Sequence, residues 1–343
     1  MNKIKANNHY VPQLYLKRWV DSENEVCIYK TLVSHENENL WRKQSTAAIG
    51  YQRHLYTQMI AGKESDDLEN WLDKNYESPA QEAISKAVND EKLSKHDWYL
   101  LIRFLACQDV RTPARLLEHL SRQNRTQEKI LQDSLERLKE EIENNSISPS
   151  DTVEPSNELD KLFPLKIRTE RDPNDKEMAR IKVESYTGRA TWIHSLKHLL
   201  KYSEKVLHLH KWSIIKPARG CSWPTSDNPV IKLNFRDENN YDFGGGWGRE
   251  KGNIFFPISP QHAMFVQIGD KPILKGTRLS KDLTKQVKKM IVEHAHRFVY
   301  SNSFDNEISA LRPRIVDANA VKKEKYQIKD WHEQNSQFET EFF

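Results

Sequence analysis

Cysteine is scarce: Cys27, Cys107 and Cys221 are the only three in 343 residues. They are widely spaced and form no C-x-x-C pair, which argues against a disulfide framework and against a four-thiolate zinc site. Long apolar runs are missing too. No stretch approaches the about 18 residues expected of a membrane-crossing helix, and the polar N-terminus lacks the apolar core of a secretion signal. Neither sign of charge is in large excess. With 53 Lys and Arg against 49 Asp and Glu, the formal charge is +4, too dilute to point to nucleic acid by itself. The chain also lacks a Walker phosphate loop, a strand–GxGxxG–helix fingerprint, the HExxH zinc pattern and a GxSxG elbow. What remains is 37% hydrophobic and 30% charged residues, a balance suited to a buried core and not to a collagen-like or mucin-like chain. A soluble cytoplasmic protein with no membrane partner is the expectation.

Hydrophobic spacing gives the chain two rhythms. Pro12 suits a helix start, Leu16 and Trp19 give a short apolar face, and Val26-Cys27-Ile28-Tyr29 has the make-up of a strand. Helical spacing follows from Leu68 to Val88, then from Ser94 to Val110, with a kink expected near Pro113. Leu131, Leu135, Leu138 and Ile142 form a further stripe, so residues 131–142 are the candidate contact for a protein partner or a second copy. Residues 143–174, rich in Asn, Ser, Pro and acidic side chains, suggest a linker or insertion. Beyond it the spacing predicts a helix over 175–205, strands near Trp212, Val230, Ile254 and Ala263, a helix over 283–295 and a strand at 297–300. The fold expected is α+β, a mainly helical N-terminal half packed against a mixed or antiparallel sheet region in the C-terminal half. The corresponding divisions are 1–142, 143–174, 175–305 and a charged extension, 306–343.

Chemistry-bearing residues concentrate in three short segments. Asp97, Leu101, Phe104, Gln108 and Arg111 share one broad helical stripe, placing an amide and a guanidinium about one turn apart on an otherwise apolar face. Such groups need partners when dehydrated. They either fix how helices meet, with Arg111 paired to Asp97 or another carboxylate, or they bind an anion. His9-Tyr10-Val11-Pro12-Gln13 sets an imidazole, a phenol and an amide at a helix start, where free N–H groups can meet an anion. In Thr225-Ser226-Asp227-Asn228-Pro229 the side chains either close a turn or present Asp227 as a base, a metal ligand or the partner of a histidine. Gly244-Gly245-Gly246-Trp247-Gly248-Arg249 suits a surface loop, and if it binds anything Trp247 and Arg249 combine stacking with anion contact. The pairs His194/His198, His208/His210 and His294/His296 specify no metal by themselves.

Five segments in order resemble one family. His9-Tyr10-Val11-Pro12-Gln13-Leu14-Tyr15-Leu16-Lys17-Arg18-Trp19 is similar to the opening of domain-of-unknown-function family 4238. Gln108-Asp109-Val110-Arg111-Thr112-Pro113 and Thr225-Ser226-Asp227-Asn228-Pro229-Val230 resemble its later signatures. Phe256-Pro257-Ile258-Ser259-Pro260 and Arg297-Phe298-Val299-Tyr300-Ser301 extend the likeness. The resemblance implies a bacterial cytoplasmic protein and no particular reaction, substrate or cofactor. Relatives often carry an acidic residue just before a Phe-Tyr pair, whereas this chain reads Arg53-His54-Leu55-Tyr56; if that acidic group is needed for metal binding, its absence weakens a metal-dependent mechanism.

Two functions are expected from these segments. The first is hydrolysis of a phosphate-containing substrate, nucleic acid or nucleotide. Here His9 transfers a proton, Arg111 stabilises phosphate charge and Asp227 orients His9 or binds a metal. Tyr10, Gln13, Gln108 and Asn228 contact the substrate. A divalent metal is compatible with this scheme but not specified. The alternative is a noncatalytic ligand-sensing or protein-interaction module, with bacterial defence as an association only.

Overall fold

The computed structural model describes residues 4–144, 165–171, 179–185 and 187–342. The chain starts with β1 (Asn7–His9) and a one-turn helix, α1 (Gln13–Leu16). Strands β2 (Val26–Lys30), β3 (Leu32–Val33), β4 (Trp41–Gln44), β5 (Tyr51–Arg53), β6 (Gln58–Ile60) and β7 (Lys63–Ser65) follow. Pro12 immediately precedes α1 in extended backbone, where its missing N–H loses no helical bond. Four helices come next: α2 (Asp67–Leu72), α3 (Ala80–Val88), α4 (Lys95–Val110) and α5 (Pro113–Glu143). Ser94 caps α4 by accepting from the Asp97 N–H at 3.1 Å, while Asp97 returns the favour by accepting from the Ser94 N–H at 2.8 Å. Asp97 also pairs with Lys86 at 3.1 Å, so it is not the partner of Arg111.

Pro113 does more than kink a helix. It opens α5, while Arg111 and Thr112 form a corner between two separate helices. Proline disfavours helical backbone in the residue before it, and Thr112 there accepts from the Arg115 N–H at 3.4 Å.

Beyond α5, β8 (Leu165–Arg171) pairs antiparallel with β9 (Ala179–Ser185), so strands occupy part of the expected linker and the start of the helix expected over 175–205. The rest of the linker lies outside the described residues. The helix itself is α6 (Arg189–His198), continued by a wider and then a tighter turn to Leu209. Then come β10 (Ser213–Ile215), β11 (Thr225–Ser226), β12 (Ile231–Asp237), β13 (Asn240–Asp242), β14 (Asn253–Ser259), β15 (His262–Gln267), α7 (Lys281–His294), β16 (Phe298–Ser301), α8 (Asn306–Leu311), β17 (Ile315–Val316) and α9 (Ala318–Phe342).

The architecture is α+β, but the expected arrangement of a helical first half against a sheet-bearing second half is wrong. One antiparallel sheet, β10-β15-β14-β12-β13, does belong to the second half. The other, β11-β16-β2-β4, interleaves strands from both ends of the chain, with Tyr300 opposite Ile28 and Tyr29 opposite Trp41. The reason is local: Val26, Cys27, Ile28 and Tyr29 are all buried, and a strand covered on both faces must find partners wherever the chain supplies them. The charged C-terminal extension packs against the body. Helix α9 docks through a buried Asn335 and Glu339, the latter accepting from the Met59 N–H at 2.8 Å.

The main core joins these parts. Tyr15 stacks on Phe256 with centroids 5.3 Å apart and lies 4.7 Å from Trp19. Their polar tips stay satisfied, since the Tyr15 hydroxyl donates to the Pro257 carbonyl at 2.7 Å and the Trp19 indole to the Trp223 carbonyl at 3.1 Å. Among the described residues no helix is long and apolar enough to cross a membrane.

Candidate functional site

The α4–α5 corner gathers the three segments singled out in the sequence. Gln108 donates to the Tyr10 carbonyl at 2.7 Å, Arg111 to the His9 carbonyl, and Thr112 to the Asn228 side chain at 3.3 Å. They meet, but mostly through contacts that hold backbone in place. Arg111 is fully buried and paired with Glu77, and its own carbonyl accepts from the Tyr56 hydroxyl at 2.5 Å. A guanidinium so engaged cannot also clamp a phosphate without breaking the pair.

Asp227 is likewise spent. Its carboxylate accepts from the backbone N–H groups of His296 (2.7 Å), Arg297 (2.7 Å) and Phe298 (3.0 Å), anchoring the turn that leads into β16. Burial outweighs these three donors and pushes its pKa up to about 6. Asn228 contacts the His294 side chain and carbonyl, each at 3.3 Å. The His9 imidazole receives the Gln13 amide at 3.4 Å and packs near Tyr51, and burial followed by the charge of Arg111 lowers its pKa. Tyr10 is buried, its phenol raised far above the usual range by burial and then Asp227. His9, Arg111 and Asp227 thus each make contacts that hold local structure.

Glu69 was not anticipated. One of its oxygens accepts from the His9 N–H at 3.2 Å, and the other is buried without a partner. Burial raises its pKa to about 7 against the pull of Arg111.

The open space lies on the other side of the corner. A cavity of about 400 Å³ runs between α5, α6, β12 and the glycine-rich loop. Asp109, the neighbour of Gln108 in the same signature, forms its floor. Its carboxylate takes Arg115 at 2.8 Å, Lys232 at 2.7 Å and the Trp247 indole N–H at 2.7 Å. Burial alone would raise the Asp109 pKa, yet Arg115, Lys232 and these hydrogen bonds hold it below the ordinary carboxylate range. Lys232 is pulled down by burial and held up by Asp109. Glu118, His119 and Arg122 of α5 continue the polar wall, and Val110, Trp192, Leu196, Leu199 and Val206 make the apolar one.

Gly245 lets the loop reach this place. A Cβ there would come within 2.8 Å of the Lys232 carbonyl carbon and 2.9 Å of the Leu233 nitrogen, so only glycine permits the close pass over β12. The His210 imidazole then meets the Trp247 carbonyl at 2.6 Å and fixes the loop from beneath. Trp247 therefore faces the cavity as a binding-loop aromatic should, whereas Arg249 is exposed and does not line it. The cavity residues Asp109, Arg115, His119 and Lys232 escaped the sequence. Asp109 lies about 100° round the helix from Gln108, off the stripe that drew attention.

One group offers metal-ligand types, His54, Glu64 and His332, whose ligand atoms lie within 4.8 Å of one another. The contacts already made there form a relay. Arg189 donates to His332 Nδ1 at 2.9 Å, which makes His332 Nε2 the protonated nitrogen, and that nitrogen lies 2.9 Å from Glu64. The His54 and His332 rings are also stacked at 4.0 Å with 14° between planes, so their in-plane lone pairs do not converge. The set behaves as a clamp on α9, with Arg189 paired to Glu339 at 2.6 Å.

No curated protein and no solved structure matches the chain. A family model does, over residues 7–305, a span that includes the corner, the cavity and all three signature segments. The chain belongs to the family described as protein of unknown function, DUF4238.

Proposed function

We propose that this protein is a noncatalytic ligand-binding module of the bacterial cytoplasm, and that its cavity takes a small phosphate-containing or other anionic molecule. The observation that carries the reading is His119. It is 6% exposed, lines the cavity and leaves Nε2 buried with no hydrogen-bond partner. A buried polar atom without a partner costs on the order of 1–3 kcal/mol, a cost that a ligand donor or acceptor removes. Size agrees, since small-molecule sites span roughly 300–1,000 Å³ and combine an apolar lining with a few placed polar groups. The free thiols of Cys27 and Cys107, both buried, suit a reducing compartment.

Hydrolysis by His9, Arg111 and Asp227 has less support, because each is occupied by structural contacts and none lines the cavity. The test is calorimetric titration of the purified chain with a panel of phosphorylated and carboxylated metabolites, run beside nuclease and phosphatase assays. The expected result is a saturable ligand, bound by wild type and His9→Ala alike and lost in Trp247→Ala, with no turnover. Turnover abolished by His9→Ala would overturn the reading in favour of the hydrolase. A stripe for protein contact over 131–142 stays compatible with this function, as its Leu135 on α5 is 40% exposed.

A further inference from the structure

The charges around the cavity narrow what it accepts. Three cations, Arg115, Arg122 and Lys232, face two carboxylates, Asp109 and Glu118. His119 adds no charge at neutral pH, since burial, with Arg122 beside it, lowers its pKa to about 4. One positive charge is left over, and the pairing shows which. Asp109 takes Lys232 and Arg115, and Glu118 takes Arg115 again at 2.5 Å. Arg122 therefore pairs with no carboxylate among the described residues.

Position reinforces the count. Arg122 follows His119 by three residues on α5, so both side chains share a face of the helix. The unpaired guanidinium and the unpartnered imidazole nitrogen thus both line the cavity from one face of α5. Trp247, tied to Asp109, also lines the cavity, with Trp192 in the apolar wall.

We infer that the cavity selects a molecule of about nucleotide size carrying a planar ring and a single negative charge, a phosphodiester or carboxylate, over dianions and polyphosphates. The inference rests on the binding function proposed above. One negative charge neutralises Arg122 and accepts from His119, while the ring lies against the indole of Trp247. A second negative charge has no unmatched cation left and faces Asp109 and Glu118, and repulsion of this kind is how a site rejects a near relative of its ligand.

The experiment is calorimetric titration of the full chain at neutral pH with cyclic AMP and 1-naphthoate as singly charged probes, against AMP, ATP and adenosine. At least one singly charged probe is expected to bind about tenfold tighter than AMP, ATP and adenosine. Arg122→Ala should abolish the preference over adenosine. Glu118→Gln removes an exposed carboxylate and leaves Arg115 and Lys232 paired with Asp109, and should narrow the preference over AMP by about threefold or more. AMP or ATP binding as tightly as both singly charged probes, or an unchanged ranking in Glu118→Gln, would overturn the charge selection. Adenosine binding as well as cyclic AMP, with Trp247→Ala abolishing both, would also remove charge selection but leave the cavity as a ligand site. Failure of every probe and of the wider metabolite panel would remove both proposals together.

Discussion

Replacing Arg111 should reveal it as part of the frame. Arg111→Met keeps most of the aliphatic stem and removes the guanidinium, leaving Glu77 without its cation and the His9 carbonyl without its donor. The Arg111 side chain is 0% and the Glu77 side chain 12% exposed, so water can rescue neither well. Breaking a buried pair from one side costs about 3–5 kcal/mol, and loss of a charge-assisted hydrogen bond is part of that figure and not an addition to it. Urea unfolding followed by tryptophan fluorescence measures the loss. The double variant Arg111→Met/Glu77→Leu should lose clearly less than the two single variants summed, since no charge is then stranded. A loss below about 1 kcal/mol in Arg111→Met, or strict additivity in the double variant, would refute the structural role.

Other outcomes follow from neighbouring contacts. Glu69→Gln should flatten a pH dependence of stability. With the folded pKa raised to about 7 from the ordinary 4.5, protonated Glu69 favours the fold below pH 4.5, and this contribution is lost as pH rises through about 7. The difference amounts to about 3 kcal/mol at alkaline pH, so Glu69→Gln should be the more stable form there; equal wild-type and variant slopes between acid and alkaline pH would count against it. Asp227→Asn exchanges an acceptor for an N–H facing backbone donors and should cost about 1–3 kcal/mol by the same urea assay, without a change in ligand affinity at the cavity. Glu339→Gln should loosen α9, seen as faster amide exchange across Ala318–Phe342, because Arg189 loses its buried counter-charge; unchanged protection would show that the helix is held by other contacts.

Much of the local structure was legible because it depends on near neighbours. The helix of Lys95–Val110 and the strands at Asn253–Ser259 and His262–Gln267 follow from residue types a few positions apart. Residues 179–185 fall within the helix expected over 175–205, while the backbone over Ala179–Ser185 pairs as a strand with Leu165–Arg171. The three signature segments stand out in the sequence as polar chemistry in apolar surroundings, and the fold brings them to one corner. Spacing along a helix cannot tell whether such chemistry faces a ligand or a carbonyl.

The sequence by itself determined the family, the α+β composition and the polar residues that matter around the α4–α5 corner. Tertiary structure alone decided their use. Arg111 found Glu77, Asp227 found the backbone of residues 296–298, and Asp109, passed over on the helical wheel, became the floor of the cavity. The physical reason is that a buried charge takes whichever partner the fold brings within reach, and the pairs Asp109–Lys232 and Arg189–Glu339 join positions more than a hundred residues apart. No periodicity in the chain encodes such distances.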